Sequence, residues 1–289
     1  MRLQRLISLA FEEQGWSQQS VWFKRLLYLL CLYKGLYLLF HFDDCLGANH
    51  QYYANPREGG RLVDLAFWLY NRTSDASGWI VLTALFLCLV FLLFSNTHYY
   101  VPELVLWLLM LNIHNKMYAS ATAGDYLLNQ FLFFNVFIRG KGYDGRPWLK
   151  DSFTLMHNFG CVAVMVQVCV MYFFAGLVKA MDAQWLSGEA MQIIWSIRHF
   201  SPGDALANGD HSTGLSMFTG YGVMMYQIGF PLLIWWRPLK KPLLWLGIAM
   251  HVYIALYMGL VFFALTVMLG YVLFWPVKQT KSMKLRGED

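Results

Sequence analysis

Residues 153–179 read FTLMHNFGCVAVMVQVCVMYFFAGLVK, and this stretch decides the class of fold. It contains no acidic residue, and apart from His157 its one basic side chain is Lys179 at the very end. A helix that crosses a bilayer needs about 20 mainly apolar residues, whereas a surface helix of a soluble protein carries a charged face. The stretch therefore predicts a transmembrane helix.

The composition of the whole chain points the same way. Of its 289 residues, 58% are hydrophobic and only 13% are charged, whereas soluble domains carry roughly 25% charged residues. This excludes both a soluble globular protein and a disordered chain. The net charge of +5 comes from basic clusters beside apolar runs, which is typical of topology signals in membrane proteins. We therefore expect a lipid bilayer, and no nucleic acid, as the partner.

Further apolar segments predict an all-α polytopic bundle of about eight spans. The segments are 21–41, 78–94, 100–116, 125–139, 153–179, 213–235 and 242–276. The last is too long for one untilted helix, so we interpret it as a hairpin that breaks near Gly259.

The ends of the chain have their own expected roles. Apolar spacing predicts that residues 1–20 form a helix on the membrane surface, ahead of a transmembrane domain at 21–277. Residues 278–289 would form a basic tail. An N-terminus inside the cell places every cluster of Lys and Arg on the cytoplasmic side, together with the C-terminus. The expected location is the bacterial inner membrane, with several passes.

Ionisable residues inside spans are costly and are candidates for function. They are Lys34, His114, Lys116, Asp125, His157, Lys179 and His251. The expected topology places most of them toward the outer leaflet, where a base, a nucleophile or a proton relay could form.

Most of these residues also have a structural interpretation. Lys179 could snorkel to the headgroups, Asp125 could cap the fourth spanning helix, and His114 and His251 could hydrogen-bond between helices. Lys34 could snorkel or pair with a carboxylate. The cysteines have no metal-ligand spacing, so no metal site is predicted.

One block of sequence is more specific than composition. It runs Val170-Met171-Tyr172-Phe173-Phe174-Ala175-Gly176-Leu177-Val178-Lys179 and continues to Trp185-Leu186-Ser187-Gly188. It resembles the HTTM family, the membrane domain shared with vitamin K-dependent γ-carboxylase, in a short form without the lumenal domain. Gly124-Asp125-Tyr126-Leu127-Leu128 and the region from His251 to Phe274 are also similar to that family.

The resemblance implies an activity and a site. Lys179 would be the base that deprotonates a vitamin K-type quinol. The quinol anion would then react with O₂, and the strong base so generated would remove a proton from a carbon atom of an exported peptide or a small molecule, as it does at the γ-carbon of a Glu in the carboxylase. CO₂ would add to the resulting carbanion. His114 and His251 would lie at the reacting centre as further catalytic residues. The candidate substrate-binding residues are Asp125, Lys116 and Trp185.

A second function remains open from the sequence. The chain could be a non-enzymatic scaffold or a subunit of a complex for peptide export or maturation. The basic tail 278–289 could dock a partner or anionic lipid. The aromatic loop 42–77 could dock a membrane protein partner on the outer face of the membrane.

Overall fold

A computed structural model describes residues 16–47, 65, 68, 74–95, 100–117, 120–139, 150–197 and 213–276. All regular secondary structure in these ranges is helical, which confirms the predicted all-α class. We number the helices in chain order. They are α1 (Ser17–Phe40), α2 (Phe42–Cys45), α3 (Asp75–Phe94), α4 (Tyr100–Lys116), α5 (Ala123–Asn135), α6 (Lys150–Ala180), α7 (Ala183–Ser187), α8 (Ala190–Ser196), α9 (Thr213–Leu233), α10 (Arg237–Tyr257) and α11 (Val261–Phe274).

Within these ranges, three helices are long and apolar enough to cross a membrane, namely α3, α6 and α10, and α11 is a shorter apolar helix. Only 39% of the most apolar window of α3 and of α6 is buried inside the protein, and only 17% of that of α10. Large apolar side chains therefore face outward, such as Leu87 and Trp245. A surface of this kind is compatible with lipid and not with water, so the fold indicates a membrane protein. The count of about eight spans and the sides of the termini stay predictions.

The first long helix differs from the sequence prediction at its start. α1 begins at Ser17, so residues 17–20 continue into the predicted first span. The remainder of the predicted surface helix, residues 1–15, lies outside the described residues, as does the basic tail 278–289. α1 also carries two buried lysines, Lys24 and Lys34, which need partners inside the protein.

Helix α11 lies at the centre of the bundle, where it packs against α1, α5, α6 and α10. α3 packs on the outside against α1 and α4, and α9 packs along α6. α10 and α11 are separated by a break in which Gly259 has a φ of +67°, a conformation that glycine adopts without steric cost. The predicted hairpin break near Gly259 is therefore confirmed.

The start of α5 lies unusually close to the start of α11. A Cβ atom on Gly124 would lie 2.7 Å from the Cα of Phe263, closer than such atoms pack. Small residues allow helices to approach in this way in membranes. The close approach matters for function because the next residue, Asp125, is thereby held between α1, α4 and α11.

Candidate functional site

Asp125 lies in the first turn of α5, after the N-cap residue Thr122. One carboxylate oxygen, Oδ2, accepts hydrogen bonds from the backbone N–H of Thr122 at 2.7 Å and from its hydroxyl at 2.9 Å. This is the reciprocal half of a capping box, which stabilises a helix start. The structural interpretation of Asp125 as a capping residue is therefore correct, but it uses only one of the two oxygens.

The other oxygen, Oδ1, faces two basic side chains from different helices. The Nζ of Lys34 in α1 lies 2.7 Å from it, and the Nε2 of His114 in α4 lies 3.2 Å from it. All three side chains are buried. We call Asp125, Lys34, His114 and Thr122 the Asp125 cluster. It resolves the alternatives for Lys34, which pairs with a carboxylate.

Lys34 is also enclosed by aromatic rings. Its Nζ lies 4.7 Å from the ring centroid of Phe262 and 5.9 Å from that of Tyr37. An ammonium group over an aromatic face is stabilised by the ring quadrupole, more so when water is excluded. The amine therefore has both its charge partner and a surrounding that holds it in place.

His114 has a free hydrogen-bonding position. Its Nδ1 is buried and has no hydrogen-bond partner among the described residues. Its Nε2 approaches Asp125 without the alignment of a hydrogen bond. Buried polar atoms are nearly always satisfied, so an exception asks for a functional or solvent explanation. A carboxylate next to one ring nitrogen orients an imidazole whose other nitrogen can exchange a proton.

A cavity of about 400 Å³ adjoins the Asp125 cluster. Lys34, Thr122 and Asp125 line it directly, whereas His114 lies behind Asp125 and is not part of the wall. Further polar groups come from Asp44, Cys45 and Ser120, and aromatic and apolar walls from Tyr33, Tyr37, Phe262, Met117 and Val261. A cavity with apolar walls and a few convergent polar groups is the usual form of a small-molecule site.

Cys45 lines this cavity and could be labelled chemically. The thiol is free and buried, and burial raises its pKa above the ordinary value. A thiolate is the reactive form, so alkylation of Cys45 is expected to be slow at neutral pH and to accelerate as the pH rises.

The structure places Lys179 elsewhere. Its Nζ donates to the carbonyl oxygen of Ala175 at 3.4 Å and lies 5.0 Å from the ring of Trp185. The two residues of the Lys-to-Trp block, Lys179 and Trp185, are thus brought together. No hydrogen bond, ion pair or ring contact within the described residues joins Lys179 to His114 or His251.

His251 lies in a third place, in a buried group of tyrosines. Its Nδ1 donates to the carbonyl oxygen of Gly247 at 2.8 Å. Its ring centroid is 6.1 Å from the rings of Tyr172 and Tyr271. The hydroxyls of Tyr172 and Tyr271 are hydrogen-bonded to each other, and the hydroxyl of Tyr226 lies 3.3 Å from that of Tyr271.

The candidate site residue Lys116 is fully buried at the end of α4.

Sequence reasoning missed a second buried ion pair. The Nζ of Lys24 lies 2.6 Å from an oxygen of Glu103 and 2.7 Å from the carbonyl oxygen of Ile138. Asn135 and Tyr28 also donate to Glu103. In the sequence, Lys24 stands next to Arg25 near the N-terminus, and such a basic cluster is typical of a topology signal. The signal that reveals the pair is Glu103, the one acidic residue in the predicted span 100–116.

The comparisons with known proteins add no identity. No family model matches the chain, and neither the curated proteins nor the solved structures contain a match. The resemblance to the HTTM family therefore remains a prediction from the quoted residues.

Proposed function

We propose that the chain is a multi-pass enzyme of the bacterial inner membrane that carries out proton-transfer chemistry at the Asp125 cluster. The observation that carries this proposal is one buried carboxylate that contacts a lysine and a histidine and lines a cavity of about 400 Å³. Buried charges within a membrane protein are costly and are retained where they serve transport or chemistry. An acid–base group must reach its substrate, and Asp125 and Lys34 are in the cavity wall.

The cavity supports a substrate with both polar and apolar parts. Lys34 and Ser120 offer donors to an oxygen of a bound molecule, while Tyr33 and Phe262 offer apolar surface. Asp125 could accept a proton and pass it to Nε2 of His114, which lies 3.2 Å from its Oδ1, while a proton on the unpartnered Nδ1 leaves from the other side of the ring. A quinol head group or a peptide carboxyl group fits this description by its chemistry.

The reaction class rests on the resemblance alone. It would be a quinol- and O₂-linked modification, with CO₂ as a co-substrate, of an exported peptide or a small molecule. The resemblance makes Lys179 the initiating base, with His251 as a further catalytic residue. No contact within the described part of the chain joins Lys179 to the Asp125 cluster, so the proposed role of Lys179 is tested with a separate variant.

The test uses full-length protein in liposomes, supplied with a reduced vitamin K-type quinol, O₂, bicarbonate and a glutamate-containing peptide. We expect quinol-dependent oxygen uptake and a peptide heavier by one carboxyl group. Asp125→Asn should lower the rate by about a hundredfold or more, as the loss of an acid–base group does. Glu103→Gln is the matched control, because it makes the same change in the other buried ion pair.

The outcomes separate three claims. Equal losses in Asp125→Asn and Glu103→Gln, with both proteins monodisperse, would show that Asp125 only supports the fold. A wild-type protein without oxygen uptake would refute the quinol reaction. Normal turnover by Lys179→Ala would refute the role of Lys179 as the base, and it would not affect the proposed role of the Asp125 cluster.

The scaffold interpretation depends on segments that the structure covers only in part. Most of the loop 42–77 and all of the tail 278–289 lie outside the described residues. No contact among the described residues favours it over an enzyme, so it stays a prediction.

A further inference from the structure

A second cavity, of about 850 Å³, opens where the start of α1, the start of α10 and the end of α11 meet. We call it the basic cavity because Arg237, Lys240 and Lys241 all line it. Its remaining walls include Trp16, Gln19 and Trp275. It shares no residue with the cavity beside Asp125.

The three cations of the basic cavity have no acidic partner among the described residues. Lys240 is partly buried, and Arg237 and Lys241 line the same cavity. Like charges gathered in a concave surface repel each other and create a positive potential. An anion bound among them would relieve this repulsion.

An apolar groove of about 370 Å³ adjoins the basic cavity. Its walls include Trp22, Leu26, Ile248, Met268 and Val272. The groove and the basic cavity share Gln19 and Trp275, and the Nε2 of Gln19 donates to the carbonyl oxygen of Trp275 at 3.2 Å. The two surfaces therefore meet at one hydrogen-bonded pair.

Tryptophans mark this end of the bundle as the level of the lipid headgroups. Trp22, Trp235, Trp236 and Trp245 all have large exposed surfaces, and Trp245 packs on Trp275 with ring centroids 5.5 Å apart. Tryptophan is enriched where the hydrocarbon core meets water. At this level the polar end of a lipid lies beside basic side chains and its chains extend along the apolar helices.

We propose that the basic cavity and the apolar groove together bind one anionic phospholipid. The phosphate lies among Arg237, Lys240 and Lys241, and an acyl chain lies in the groove along Ile248, Met268 and Val272. Charge complementarity selects this occupant. A zwitterionic lipid such as phosphatidylcholine brings a choline cation next to the three basic side chains, and a soluble anion leaves the groove empty. Basic pockets between membrane helices bind anionic headgroups by the same chemistry.

The test measures lipid binding to the full chain in detergent by native mass spectrometry and by thermal unfolding. Phosphatidylglycerol is titrated against phosphatidylcholine, and inorganic phosphate is tested alone. We expect phosphatidylglycerol to bind and to raise the melting temperature, and the other two to do neither. Replacing Arg237, Lys240 and Lys241 by Gln should weaken binding by about a hundredfold, since each cation near a membrane surface contributes roughly fivefold.

Two further variants separate binding from folding. Lys150→Gln removes an exposed cation outside the cavity and should bind phosphatidylglycerol as the wild type does. Ile248→Trp fills the groove but keeps all three cations, and it should also lose binding. Equal binding of phosphatidylcholine, equal stabilisation by phosphate, or undiminished binding by the triple Gln variant or by Ile248→Trp would each overturn the proposal. This site is independent of the proposed reaction at Asp125.

Discussion

Asp125 divides its two carboxylate oxygens between two tasks. Oδ2 completes the cap of α5 through Thr122, and Oδ1 meets Lys34 and His114. The sequence shows the first task, because Thr122 and Asp125 have capping-box spacing. It cannot show the second, because Lys34 and Asp125 are 91 residues apart and the pairing depends on how the helices pack.

At the residue scale, the ion pair predicts a specific pattern of stability. Lys34→Met leaves a buried carboxylate without its cation and should cost about 3–5 kcal/mol in the free energy of unfolding. Adding Asp125→Asn removes the charge and keeps an oxygen that can accept from Thr122, so most of the loss should return. Reversible unfolding in detergent measures both variants.

A control for that series is Lys179→Met, because Lys179 has no carboxylate partner among the described residues. It should change the unfolding free energy far less than Lys34→Met. If the double variant were as unstable as Lys34→Met alone, the ion pair would not be what the lysine contributes.

At the scale of the elements, apolar runs predicted most helix positions well. The predicted span 153–179 corresponds to α6 at Lys150–Ala180, and 78–94 corresponds to α3 at Asp75–Phe94. The reason is that length and apolar character are properties of one segment alone. Contacts between helices, such as the close approach of α5 to α11, depend on two segments and were not predictable from either.

That approach gives a prediction at Gly124. Gly124→Ala would place a Cβ atom 2.7 Å from the Cα of Phe263, so α5 must move away from α11. We expect a loss of about 1–3 kcal/mol in the unfolding free energy, as for other overpacked sites. Gly222→Ala is the control, because its Cβ would meet nothing within 4 Å. There alanine should be neutral or stabilising, since it favours helix over glycine. Equal effects at both glycines would contradict the close approach.

At the scale of the whole molecule, the sequence predicted a membrane protein from its composition, and the outward-facing apolar surfaces of α3, α6 and α10 agree with this. The expected convergence of Lys179, His114 and His251 involves no direct contact in the structure. His114 joins Lys34 and Asp125, while His251 joins a tyrosine group. A topology gives the depth of a residue in the membrane but not its direction around a helix, and that direction decides which side chains meet.

The turnover of the double variant Lys34→Met with Asp125→Asn tests the central claim most directly. The claim is that the buried charges of the Asp125 cluster serve chemistry in the adjoining cavity. In liposomes with quinol and O₂, we predict a folded protein of nearly normal stability whose oxygen uptake is lost. Oxygen uptake at the wild-type rate by this variant would contradict the claim, because the charges would then be needed only for the fold.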